Sequence, residues 1–309
     1  MGQRAFHSAL IGEGEHDSCR VPAVPARGTP GYRLFLAAWY AVNSLLVISI
    51  LVVVYCITWE YSTRRYLKGF SDAIVPVAGS PQEKVESILN WMSYGPARNP
   101  NKPDSASPNR EPTETINYES LMRVCGSATN AFVNLADSAG LSARRLLLLN
   151  SSWQAKHVVA EVFIDGRWIV ADPAFRVLLR STDGKLLARQ QLADPKIFFA
   201  ATRDIPHYDQ RYTYERTAHI RITRIRIVGL LLRHALDHLL PGWEDSTAVS
   251  LLVERRSLAA MVLAILSLLF LSIVRIVLRW YGERSLGFQS VRIHDQIRRA
   301  CAAFLNTAN

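Results

Sequence analysis

Cysteine is scarce in this chain: four in 309 residues, at positions 19, 56, 125 and 301. Residues 60–256 hold Cys125 alone, which excludes a disulfide within that stretch. The sequence also lacks a Cys/His quartet at zinc spacing, a glycine-rich phosphate loop, an RNA-binding signature and an internal repeat. No metal or cofactor is therefore expected. Despite a net charge of +10, nucleic acid is not an expected partner; basic groups beside apolar segments more simply meet anionic lipid headgroups.

Charge is missing from two long segments. Leu34 to Trp59 gives 26 uncharged residues, and Ser257 to Val274 gives 18 more, with apolar character continuing past Arg275 to Leu278. A bilayer core needs about 20 apolar residues per helix, so both are long enough to span. Trp39, Tyr40, Tyr55 and Trp59 in one segment, and Trp280 and Tyr281 beside the other, suit interfacial anchors. The first segment is too long for the apolar stretch of a signal peptide and has no convincing cleavage site after it, so it reads as a retained signal-anchor. Arginines in both tails favour cytoplasmic termini and an extracytoplasmic domain between the spans. The expected order is an N-terminal tail (1–33), a first span (34–59), a catalytic domain (60–185), an accessory juxtamembrane region (186–256), a second span (257–278) and a basic tail (279–309).

An extracytoplasmic domain usually carries cysteines in pairs, so a single thiol there calls for a chemical explanation. The sequence around Cys125 supplies one. A helix is predicted to begin at or near Cys125, with Ala128, Phe132, Leu135 and Ala136 on one face and Gly140 placed to end it. A thiol in the first turn faces the positive end of the helix dipole, which favours thiolate. Upstream, Ser80-Pro81-Gln82-Glu83 reads as a capping box opening a helix over 81–93. A proline-rich loop follows at 95–115. Beyond Gly140 the apolar run Leu146 to Leu149 predicts one strand and His157 to Ile164 another. Asp165-Gly166 predicts a two-residue turn into a strand over 167–171.

That turn fixes a register. If Ile164 pairs with Arg167, paired numbers sum to 331, and His157 and Asp172 become diagonal neighbours on one face. Asp172 could then hold the imidazole in one tautomer, as the acid of a triad does. Glu161, four residues along the strand, lies roughly 13 Å away and is the poorer candidate. The candidate catalytic residues are thus Cys125, His157 and Asp172. A competing pair, His234 and His238, shares a helical face but lacks the Glu that would follow the first His in a zinc peptidase, and reads as the polar face of an interfacial helix over 230–240.

Residues 119–175 resemble the core of the transglutaminase-like superfamily. The resemblance rests on an ordered set: Cys125 with Ala128, Gly140-Leu141-Ser142-Ala143-Arg144, His157 with Glu161, Asp165-Gly166-Arg167-Trp168, and Asp172-Pro173. Arg123 and Val159 depart from the usual glycine and aromatic. The resemblance implies an α+β fold with a papain-like core, a Cys-bearing helix packed on an antiparallel sheet, here flanked by two transmembrane helices. It also implies attack on peptide or protein amide bonds through a thioester, ending in hydrolysis (peptidase or amidase) or acyl transfer. The backbone N–H of Cys125 and Trp91 are the candidate oxyanion donors. The alternative expectation is a non-enzymatic assembly or binding module among membrane or envelope proteins of a polysaccharide complex.

Overall fold

The computed structural model describes residues 29–94, 111–117, 124–220, 234, 236–238 and 240–288. The chain divides into two compact units, Met1–Ile48 with Leu268–Asn309, and Ser49–Ser267. In the first, the Phe35 ring is buried against Tyr281 and Phe288 at 6.4 and 5.0 Å. The rest of the description concerns the second unit.

Helix α1 runs over Pro30–Ile74, well past the uncharged segment. The extension has a physical cause: Glu60, Thr63, Leu67 and Ser71 recur at helical spacing and are all buried, so residues 60–74 continue the helix as an amphipathic one. A second long helix, Arg256–Ser285, contains the second uncharged segment. Both helices are long and apolar enough to cross a membrane, and only 11% and 6% of their most apolar windows are buried within the protein. Their apolar surface is therefore not consumed by a protein core, as it would be in a soluble bundle.

Helix α2 (Pro81–Ser93) opens with the capping box the sequence predicts: the Glu83 N–H donates to Ser80 Oγ at 3.3 Å, and the Ser80 N–H donates to Glu83 Oε2 at 2.7 Å. Val85, Ile88, Leu89 and Met92 form its buried face. Within the predicted loop, Pro112–Thr115 is a one-turn helix, α3, while 95–110 lie outside the described residues. Helix α4 spans Cys125–Ser138, and Gly140 follows it at φ +79°, a left-handed conformation that glycine adopts without strain.

The sheet comprises β1 (Ala143–Leu149), β2 (Ala155–Ile164), β3 (Arg167–Asp172), β4 (Val177–Leu178) and β5 (Thr217–Ala218), in the antiparallel order β4-β3-β2-β1-β5. The β2–β3 pairs, from Ile164↔Arg167 to Ala160↔Ala171, follow the predicted register. Asp165 and Gly166 both have positive φ, +47° and +81°, as the right-handed twist of a hairpin demands of a two-residue turn.

Both faces of this sheet are covered. Ala160, Val162, Ile164, Ile169 and Ala171 pack with α2, α4 and Leu67 of α1, and Phe132 of α4 is fully buried among them. Leu146, Leu148, Val159 and Val170 pack on the other side with Leu179, Leu187, Leu192, Phe198, Tyr208 and Tyr214. Residues beyond 185 are thus part of the same core, and they supply helices α5 (Arg189–Leu192) and α6 (Pro195–Thr202) and strand β5 as well. Fully burying side chains of this kind contributes about 1.5–3 kcal/mol each, which makes the sheet a rigid platform for what stands at its end.

One polar cluster reverses an expectation of amphipathicity. Asn130, Asn134 and Asp137 form a stripe on α4 at i, i+4, i+7 that would ordinarily face water. Instead Arg255 enters it, at the break between helix α7 (Thr247–Glu254) and helix α8 (Arg256–Ser285). Its guanidinium donates to Asn134 Oδ1 at 2.9 Å, Asp137 Oδ2 at 2.9 Å and Glu60 Oε1 at 3.2 Å. Glu60 also accepts from Ser257 Oγ at 2.6 Å, and Glu254 from Asn130 at 3.0 Å and Arg145 at 2.7 Å. The thiol-bearing helix is thereby joined to Glu60 of α1 and to the α7–α8 junction by a largely buried network of charges and amides.

Candidate active site

Three elements deliver the three predicted residues. Cys125 is the first residue of α4; the N-cap, Val124, is extended and has no side-chain oxygen to bind the opening amides. The first N–H groups of the helix are therefore left without the usual side-chain cap, and the thiol stands at the positive end of the dipole. Cys125 is half-buried and not disulfide-bonded. His157 lies near the start of β2 and Asp172 at the end of β3; both are buried.

His157 Nε2 and Asp172 Oδ2 are 2.7 Å apart. The other carboxylate oxygen, Oδ1, accepts from the backbone N–H groups of Ala174 at 3.1 Å and Phe175 at 3.3 Å, in the turn begun by Pro173. Asp172 is thus fixed before it meets the imidazole. A fourth donor completes it: Tyr208 Oη gives its proton to Oδ2 at 2.9 Å.

Burial disfavours the charged form of His157, but the charge and hydrogen bond of Asp172 outweigh it, and the Cys125 thiol adds to the same effect. Together they push the imidazole from 6.5 up to about 9. Nδ1, the nitrogen turned away from Asp172, meets no partner with strict hydrogen-bond geometry. The thiol is nevertheless close enough to favour the charged ring. Nucleophile–base contacts of this sort are commonly loose without substrate and tighten when it binds. Around the ring, Tyr212 stacks face to face at 4.4 Å with 2° between planes, and Phe175 presents its edge at 5.8 Å.

The rival acid has another occupation. Glu161 is buried and accepts from Arg144 at 2.8 Å and His219 at 2.7 Å, with Arg189 at 3.8 Å; burial pushes its carboxyl up, and these partners hold it net below its ordinary value. It ties β2 to β1 and to the segment after β5. His219 also reaches Asp245 at 2.8 Å. Trp91 packs edge-on against Phe70 at 4.9 Å in the helical layer. His234 and His238 are exposed, and Asp237 between them accepts from Trp243 Nε1 at 2.9 Å. Most of the interfacial helix predicted over 230–240 lies outside the described residues, as does Arg123. No group of three or more metal-ligating side chains converges among the described residues.

Sequence reasoning missed Tyr208, Tyr212 and Phe175. A tyrosine-rich stretch at 208–214 was the available signal, but nothing local ties it to a histidine 51 residues earlier.

The arrangement can do nucleophilic acyl chemistry: a thiol at a helix N-terminus, an imidazole that can take and return a proton, and a carboxylate that fixes the imidazole. Residues 68–173 match the family model of the transglutaminase-like superfamily, a span that contains Cys125, His157 and Asp172 and covers about a third of the chain. No curated protein and no solved structure matched it. The chain carries a domain of the transglutaminase-like superfamily over residues 68–173.

Proposed function

We propose that this protein is a membrane-anchored thiol enzyme that acts on peptide or protein amide bonds through Cys125, His157 and Asp172. The observation that carries the reading is the buried His157–Asp172 bond of 2.7 Å, its carboxylate locked from behind by two backbone amides, on an imidazole that the Cys125 thiol also acts on. The Cys125 thiolate attacks the amide carbonyl, and the carbonyl π electrons move to oxygen. The N–H of Cys125 at the open helix end is the candidate donor to that oxyanion. As the C–N bond breaks, the imidazolium gives its proton to the leaving amine, and a thioester remains. Water or an amine then attacks the thioester while His157 takes its proton, releasing an acid or a new amide and restoring the thiol pair. Asp172 holds the ring throughout.

The two apolar helices fit a pair of spans with the domain extracytoplasmic and both tails cytoplasmic, where basic tails meet anionic lipid. Other membrane or envelope proteins are the natural partners of a domain held there.

Acylation tests the reading. Purified full-length protein treated with an activated ester should gain one hydroxylamine-labile acyl group on the Cys125 peptide, seen by mass spectrometry. It should be absent in Cys125→Ser and reduced by about 10³-fold or more in rate in Asp172→Asn, which leaves the ring in the wrong tautomer. An added primary amine that captures the acyl group marks transfer; release only to water marks hydrolysis. Acylation equal in wild type and His157→Ala would reject the enzyme and leave a binding module.

A further inference from the structure

The family-matched segment ends at residue 173, yet the imidazole and carboxylate are enclosed by side chains that come after it. The stretch after α6 (Pro195–Thr202) lays two tyrosines on the pair. Tyr208 shares Asp172 Oδ2 with His157, and Tyr212 lies flat on the imidazole face. Tyr208 itself is buried against Phe175 at 4.4 Å and Phe198 at 6.0 Å, so its hydroxyl is aimed by packing. We propose that Tyr208 and Tyr212 are positioning residues of the thiol site, the first fixing and partly neutralising Asp172, the second holding the plane and charge of His157.

The proposal rests on the reading of Cys125, His157 and Asp172 as a catalytic set, and it assigns the two tyrosines opposite effects. A phenol that donates to Asp172 Oδ2 withdraws negative charge from the oxygen that the imidazolium needs. Burial and the neighbouring Asp172 carboxylate raise the Tyr208 phenol well above its ordinary value, so it stays a neutral donor. Removing the hydroxyl leaves the whole of that charge to His157 and favours its protonated form. Tyr212 acts the other way. A cation stacked on a ring face is stabilised by the quadrupole of that ring, so removing the ring disfavours the imidazolium. Among the described residues, the charged or titratable groups around His157 and Asp172 are Cys125 from α4, Asp172 from β3, and Tyr208, Asp209, Tyr212 and Tyr214 from the segment after α6; Arg211 holds Asp209 at 2.8 Å. None of these others changes in the variants below.

The test compares alkylation of Cys125 by anionic iodoacetate and neutral iodoacetamide across pH, reading the Cys125 peptide of the detergent-solubilised full chain by mass spectrometry. The imidazolium attracts the anionic reagent, so the rate ratio drops where His157 loses its proton. In Tyr208→Phe the midpoint of that drop should move up by about half a unit to one unit, the scale of a hydrogen bond to a charged group. In Tyr212→Leu it should move down by a similar amount, and Tyr212→Phe, which keeps the stack, should restore the wild-type midpoint. Midpoints that do not move, or that move in the same direction in Tyr208→Phe and Tyr212→Leu, overturn the proposal. His157→Ala separates the two levels: if it keeps the wild-type curve, the catalytic reading itself fails. If it abolishes the drop while the tyrosine variants change nothing, only the positioning role fails. Should Tyr212→Leu not fold by circular dichroism, Tyr208→Phe decides alone, since it deletes one hydroxyl and leaves the ring packed.

Discussion

Replacing Arg255 by methionine removes the cation inserted into the polar stripe of α4. Arg255 is 2% exposed and serves three acceptors: Asn134, Asp137 and Glu60. Methionine matches the stem but donates nothing. Asp137 has 37% of its side chain exposed and can turn to water. Among the described residues, Glu60, 3% exposed, keeps Ser257 and the half-solvated Arg64. The loss is therefore dominated by a buried carboxylate deprived of its nearest buried cation. Breaking such a pair costs about 3–5 kcal/mol, and methionine packing returns a part, which leaves about 3 kcal/mol. For a domain of this size about 2–4 °C accompanies each kcal/mol, so the melting temperature should fall by roughly 6–12 °C. Adding Glu60→Gln removes the stranded charge, and the double variant should be about 1–3 kcal/mol more stable than the sum of the single effects. Tryptophan fluorescence during thermal unfolding of the detergent-solubilised full chain measures both. A single variant within about 2 °C of wild type, or single effects that simply add, would refute the inserted-charge account.

Other outcomes follow from the same geometry. Glu161→Gln weakens a carboxylate clasped by Arg144 and His219, so the protein should melt several degrees lower, while the pH profile of Cys125 alkylation stays at the wild-type position; a changed profile would make Glu161 part of the site. His157 is held above its ordinary value, up to about 9, so the stability it contributes is full below about pH 6.5 and is lost as pH rises through about 9. Thermal melts between pH 6.5 and 9.5 should therefore decline more steeply in wild type than in His157→Gln; parallel declines would contradict the shift. In intact cells a membrane-impermeant maleimide should label Thr182→Cys, an exposed position of the domain, and spare Cys19 and Cys301 until the cells are lysed. The reverse pattern would invert the proposed topology.

What could be read in the sequence was local. Asp165-Gly166 fixes the β2–β3 register because both residues tolerate positive φ, and strand alternation then brings His157 near Asp172 without any long-range information. Ser80 with Glu83 marks the start of α2 through a capping box, and Gly140 marks the end of α4 through its left-handed conformation. What escaped was non-local. Asn130, Asn134 and Asp137 have the spacing of a wet face, and it is Glu254 and Arg255, more than 100 residues later, that pair with them and leave both asparagines buried. Tyr208 and Tyr212 sit in irregular backbone, where no period points a side chain at a target. The uncharged run ended at Trp59, but α1 continues because Thr63, Leu67 and Ser71 bury one face of the charged turns that follow.

The central claim, that Cys125 is activated by His157, is tested most directly by the rate of Cys125 alkylation by iodoacetamide from pH 4 to 10, in wild type and His157→Ala. Expected is rapid labelling persisting well below the ordinary thiol range of about 8.5, with a marked slowing at low pH when the imidazole is removed. An ordinary thiol profile, unchanged by His157→Ala, would make Cys125 a structural residue and contradict the account.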